Sequence, residues 1–331
     1  MKRTAMFGAG AMMIATGMIA LPAAAQSPDR EEAKSLLVEG HFNGDEVVDD
    51  DFIPLGSACL TGATETGVFS PCDAESLGPV PMAGETPGYL QLTDAGGFKT
   101  SGVLYNRPLE NDGGIEVHFA QYQYGGAGAD GISFFLVDGE TDLAEAGAYG
   151  GSLGYAQLGD LSGVDGGYLG LGLDSWGNFS ADTEGRGTGC PENQRAPDHL
   201  QTSTARAPDN VALRGPGSGS EGYCLLATTA TDEIVGTGVR GDDLYGSSFP
   251  EALSVDSLEA AKRLVKLKVN DDPMPEVTVD IDFLDGDGWQ RVLEATVPVE
   301  APDTFKFGFA ASTGAANDVH LLRHLRVETF E

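Results

Sequence analysis

A few side chains in Gly-rich stretches carry the chemistry open to this chain. Asp130 follows Gly128-Ala129 and precedes the apolar run Ile132–Val137. Asp174, Asn178 and Asp182 follow the run Tyr168–Leu173 at spacings of four and four. Two carboxylates and an amide are oxygen donors suited to a hard cation such as calcium. Trp176 stands between Asp174 and Asn178. A rigid aromatic face beside fixed hydrogen-bonding groups can meet both the C–H face and the hydroxyls of a sugar. The same residues equally suit a core tryptophan flanked by turn residues.

The elements that must hold these groups read as strands. Short apolar runs alternate with Gly, Pro, Asn and Asp clusters, the signature of an all-β sandwich. Strands are predicted at Gly114–Gln123, Gly131–Val137, Tyr168–Leu173, Leu264–Val269, Val277–Phe283, Val292–Val297, Phe305–Ala311 and Leu321–Thr329. Ile115, Val117 and Phe119 alternate with Glu116, His118 and Ala120, which turns one face inward. Asp285-Gly286-Asp287-Gly288 fits a hairpin turn. Pro250–Arg263 has a weak helical rhythm, and residues 183–222 read as a polar loop apart from Val211–Leu213. Residues 26–40 are expected to be a linker or a short helix, ahead of one domain over 41–331.

Composition sets the outer limits. With 331 residues and 41% hydrophobic, the chain can bury a sizeable core. Its Gly 47 and Pro 17 disfavour long helices. A net charge of −32 excludes nucleic acid and disfavours anionic lipid, since phosphate binding needs a basic face. Residues 1–25 are expected to be a cleaved export signal. Lys2 and Arg3 precede an apolar stretch ending in Pro22 and Ala23-Ala24-Ala25. Cleavage near Ala25 takes the net charge to −34. The mature chain is then expected to be secreted or periplasmic, with no membrane span. Cys59, Cys72, Cys190 and Cys224 suggest two disulfides, with the local pairing Cys59–Cys72 and Cys190–Cys224 expected. The five histidines show no HxH or HExxH spacing, and Ser175 sits in no GxSxG elbow, so catalytic zinc and a serine nucleophile lack support.

Four stretches in order carry a resemblance: Ala129-Asp130-Gly131 before Phe134-Phe135-Leu136-Val137; Gly150-Gly151 before Leu153-Gly154-Tyr155; a strand running into Asp174-Ser175-Trp176-Gly177-Asn178; and Gly308-Phe309-Ala310-Ala311-Ser312-Thr313-Gly314. From about Phe42 to the C-terminus the chain resembles the legume-type (L-type) lectins, and most closely their bacterial secreted members. The resemblance implies a concanavalin-like jelly-roll β-sandwich of antiparallel sheets, with a shallow sugar site on loops at one end. It implies that Asp130 follows a cis peptide and accepts sugar hydroxyls, and that Gly150 or Gly151 offers a backbone N–H. It further implies that Trp176 stacks on the sugar, that Asn178 serves both sugar and calcium, and that Ala315 and Ala316 lie in the loop that tunes specificity. Calcium would be held by Asp174, Asn178, the Trp176 carbonyl and Asp182, the last one place from its position in the family. Gly172 stands where the family's transition-metal Glu would be, and no downstream His matches, so no transition metal is expected.

Three functions fit this pattern. The expectation is a non-catalytic protein that binds glycans or polysaccharides, assisted by calcium and compatible with self-association. A glycoside hydrolase of a related sandwich is the alternative. Such enzymes need two carboxylates about 5–5.5 Å apart when they retain configuration. The hydrolase pattern E-x-D-x-x-E would place Glu at 172 and 177, and both are Gly. A module for protein contacts is the third.

Overall fold

Strand pairing builds two sheets packed face to face. The computed structural model describes residues 34–330 apart from Val48, Arg240, Asp242 and Pro250. The expected export signal and the start of the expected linker lie outside the described residues. One sheet runs Trp289–Thr296, Glu276–Asp282, Arg263–Val269, Ile115–Tyr124, Val319–Phe330, Leu90–Thr93, Cys59–Leu60. The other runs Glu221–Gly222, Gly217–Ser218, Gly167–Asp174, Gly131–Asp138, Thr304–Ser312, Thr100–Glu110, Phe52–Leu55. Asn210–Arg214 also pairs with Gly167–Asp174 and carries Leu225–Thr228 on its other side. Neighbouring strands run antiparallel, apart from Ser254–Val255 alongside Gln123 and Tyr124. This is a jelly-roll β-sandwich.

All eight strands expected from the sequence are present. The segment Lys34–Gly40 corrects the expected linker: it is a strand paired with Val319–Phe330. Its exposure alternates, and Val38 is buried, so a short period-2 pattern outweighs the charged residues before it. Among the described residues of the expected helical stretch, 251–263, none is helical; Leu253 and Ala261 are buried, and Ser254–Val255 is a short strand. Both disulfides form as expected, Cys59–Cys72 and Cys190–Cys224. No helix among the described residues is long and apolar enough to cross a membrane.

Two apolar layers explain how the loops are held. Between the sheets, Phe119, Val265, Leu267 and Val279 meet Phe134, Leu171, Phe307 and Phe309. On the outer side of the second sheet, Phe135, Val137 and Leu104 pack with Tyr155, Phe179 and Tyr223 from the overlying loops. Strands Gly131–Asp138 and Gly167–Asp174 are therefore buried on both faces, and read as continuous apolar runs. In Tyr168–Leu173 the leucines fill the inter-sheet core, and the glycines lie under rings. A Cβ at Gly170 would sit 2.6 Å from Tyr155 Cγ, and one at Gly172 2.6 Å from Phe179 Cε1. Burying each ring contributes roughly 1.5–3 kcal/mol. That burial pins the loops at 149–155 and 174–186 to the sheet.

Candidate functional site

Loops from several places in the chain meet at one end of the sandwich around a cleft of about 300 Å³. All seven residues expected to touch sugar line it: Asp130, Gly150, Gly151, Trp176, Asn178, Ala315 and Ala316.

Asp130 enters from the Gly131–Asp138 strand, after a cis Ala129–Asp130 peptide. Its N–H donates to Ser312 O at 3.0 Å. Its carbonyl accepts from Trp176 N–H at 3.1 Å and Ser175 Oγ at 3.0 Å. The turn and the 174–186 loop are thus fastened to each other. The carboxyl is 4% exposed, and its Oδ2 has no hydrogen-bond partner among the described residues. Burial, reinforced by the Asp174 charge, pushes its pKa up to about 8. A hydroxyl donated to Oδ2 would supply the missing bond and draw the pKa back down.

Asn178 reaches the cleft beside Gly151, and its Oδ1 is also buried without a partner. A Cβ on Gly151 would lie 2.6 Å from Asn178 Nδ2 and closer still to the rest of the amide. Gly150 has φ +66 and open space at its Cβ position, while its carbonyl accepts Ser312 Oγ at 2.6 Å. The two glycines serve different ends: one permits the turn and the other makes room for Asn178.

Trp176 is part-exposed. The Arg206 guanidinium lies 4.0 Å from its ring centroid, and Nη1 donates to the Trp176 carbonyl at 3.0 Å. Sequence reasoning missed this arginine, and it also missed Phe98 and Tyr149. Phe98 is 66% exposed in a left-handed conformation, φ 57, and its ring meets Tyr149 edge-on at 5.9 Å; both line the cleft. An available signal was that each aromatic adjoins a Gly-Gly pair, Gly96-Gly97 and Gly150-Gly151.

The four groups expected to bind calcium are placed differently. Asp174 is fully buried; Oδ1 accepts Gly177 N–H at 2.7 Å and Oδ2 accepts Phe179 N–H at 2.6 Å. Asn210 Nδ2 stands 3.5 Å from the same Oδ2. Burial lifts its pKa to about 6 against these donors. The Trp176 carbonyl is taken by Arg206. Asp182 is not among the residues lining the cleft; it accepts Arg214 Nη2 at 3.1 Å and Ala196 N–H at 2.8 Å. Only Asn178 Oδ1 of this set is unpartnered. The one group of three or more His, Cys, Asp or Glu ligand atoms within metal reach, among the described residues, is Glu116–His118–Glu328 on the other sheet. Its members already pair with Lys34 and Arg326.

No family model matches the chain, and no curated protein matches it. Solved structures do. The metal-free exoplasmic/lumenal domain of VIP36 is similar at 14% identity, covering 91% of this chain and 93% of that one, with a TM-score of 0.50. The Bauhinia forficata lectin in complex with GalNAc is 13% identical, covering 91% and 99%, with a TM-score of 0.49. Peanut lectin with a bound nonapeptide is 17% identical, covering 89% and 98%, with a TM-score of 0.47. The likeness is one of fold: this chain has the architecture of the L-type lectins.

Proposed function

We propose that the protein is an exported lectin that binds glycans in this cleft without altering them. The carrying observation is the pair of buried, unpartnered acceptors, Asp130 Oδ2 and Asn178 Oδ1, on a cleft walled by Trp176. Buried oxygens left unsatisfied are costly, and polyhydroxylated ligands are rich in the donors they lack. Trp176, Phe98 and Tyr149 add aromatic faces for C–H surfaces. The basic leader and the two disulfides support export, as does the sequence resemblance to bacterial secreted members.

The hydrolase reading is disfavoured on steric grounds. Glu at 172 would overlap the Phe179 ring, and a Cβ at Gly177, φ +103, would run into the backbone of Ala207 and Pro208. The paired carboxylates of a glycosidase have no room at these places.

Calcium is the ion the resemblance implies. As arranged, the residues do not fit it. Asp174 is closed on backbone N–H groups, Asp182 is paired with a buried arginine, and the Trp176 carbonyl carries a guanidinium. A cation that needs six to eight oxygens would meet positive charge at two of its four expected ligands. No step of binding is therefore routed through a metal.

A glycan array on the mature protein, with Asp130→Asn beside it, tests the proposal. Wild type is expected to bind a defined glycan set. The variant is expected to lose about 10-fold in affinity while melting like wild type, since the amide replaces one acceptor oxygen with an NH2 donor and a buried hydrogen bond left unmade costs about 1–3 kcal/mol. No binding by wild type, or equal binding by the variant, refutes it.

A further inference from the structure

Calcium in such a loop would collect oxygens from neighbouring turns and hold them together. Here arginines collect oxygens of the same kind by donating to them. Arg206 takes the Trp176 carbonyl and lies over its ring. Arg186, its side chain fully buried, donates to Ala181 O at 3.2 Å, Ser152 Oγ at 3.1 Å, Thr183 Oγ1 at 3.0 Å and Glu184 Oε2 at 2.8 Å. It thereby joins the 174–186 loop to the turn that carries Gly151. Arg214, also fully buried, donates to Phe179 O at 2.7 Å, Ala181 O at 3.0 Å and Tyr223 O at 2.7 Å, besides Asp182. Asp174 closes the loop from inside through Gly177 and Phe179. Of the four ligands expected for an ion, three already meet donors of the chain's own, and Asn178 Oδ1 alone stays open to the cleft.

We infer that the cleft is metal-independent: the guanidinium groups of Arg186, Arg206 and Arg214 hold the 174–186 loop in place of calcium, and glycan binding needs no divalent cation. Arg206, which also lines the cleft, is then a residue that positions Trp176. The binding half of this inference rests on the lectin reading; the loop half does not.

The test uses the mature wild-type protein in two arms. In the first, the metal-stripped protein is titrated with calcium by calorimetry and melted in millimolar calcium and in chelator. No calcium heat and superimposable melts are expected. A saturable calcium heat, or melting several degrees higher in calcium, overturns the inference whatever becomes of the sugar. In the second, the best array glycan is titrated in both media. Equal affinity within about twofold is expected, and loss of binding in chelator overturns it. An array without hits removes the lectin reading and leaves the first arm decisive for the metal. Arg206→Met keeps the chain length and removes the charge. It is expected to lower glycan affinity about tenfold and shift the Trp176 emission. Unchanged affinity in a folded Arg206→Met protein overturns the role given to Arg206.

Discussion

Placing an alanine at 151 tests how the cleft is built. The added Cβ would stand 2.6 Å from Asn178 Nδ2 and inside contact distance of its Oδ1 and Cγ, so the amide must rotate away. Gly151 is buried, and the backbone it belongs to is held by Ser312 Oγ on Gly150 O and by the short turn Gly150–Ser152. The side chain therefore yields before the backbone does. Losing one or two amide hydrogen bonds to a ligand is worth about 1–3 kcal/mol, or roughly 10–100-fold in affinity. Gly150→Ala provides the contrast. Its Cβ meets nothing within 4 Å, but its φ of +66 is unfavourable for alanine, and about 1–2 kcal/mol of stability is lost, some 2–4 °C in melting temperature. Glycan titration and thermal melting of both variants separate the two effects. A double-mutant cycle with Asn178→Ala isolates the route. If Gly151→Ala acts through Asn178, adding Asn178→Ala to it costs little more. Affinity within twofold of wild type in Gly151→Ala, or fully additive losses in the cycle, would refute the steric argument.

Phe98→Ala is expected to weaken glycan binding by about 0.5–1.5 kcal/mol with the melting temperature almost unchanged, because its ring is exposed and packs only edge-on to Tyr149; array titration and a melt check it. Replacing Cys190 and Cys224 by serine opens a 34-residue separation and should cost about 3–4 kcal/mol in the chain-entropy model, read as a lower urea midpoint. His320 gives a pH signature. It is fully buried against Thr93, and burial lowers its pKa to about 3. The unfolded chain takes up a proton near pH 6.5 while the native state refuses it, so the stability His320 contributes is complete above that pH. It falls progressively toward pH 3, by roughly 5 kcal/mol at most. His320→Gln should flatten the pH dependence of stability in that window, and identical slopes for variant and wild type would contradict this.

The strands were legible wherever burial repeats along the chain. Gly131–Asp138 and Gly167–Asp174 stand out because both faces are covered, and Arg263–Val269 because its exposure alternates residue by residue. Thr100–Glu110 was missed because Arg107 and Pro108 interrupt its apolar run. The exposed hairpin of Ala230–Thr237 and Asp243–Ser247 was missed because it buries too little to leave a pattern. The seven expected residues that line the cleft were legible through the resemblance to the L-type lectins, which rests on the Gly-rich stretches that carry them. The arginines were not. Arg186 and Arg206 lie in a polar stretch that reads as solvated loop, and only the return of the chain over the second sheet brings them beneath Trp176 and Gly151.

The charge balance makes the placement of these arginines meaningful. The chain has 19 Lys and Arg against 51 Asp and Glu, so cations are scarce. Yet Arg186, Arg206 and Arg214 are all buried beneath one cleft. Removing a guanidinium from water costs several kcal/mol unless its donors are engaged, and burial pulls the pKa of Arg214 down to about 10. The donors of Arg186 and Arg214 meet that cost with carbonyls, hydroxyls and carboxylates of the loop and of the chain at Ser152 and Tyr223. A surface network at these positions would contribute little and could be lost without consequence. A buried one fixes the loop when the chain folds. A bound ion can dissociate into a calcium-poor medium, whereas a covalently attached cation cannot, so the shape of this cleft is set by folding rather than by the surrounding solution.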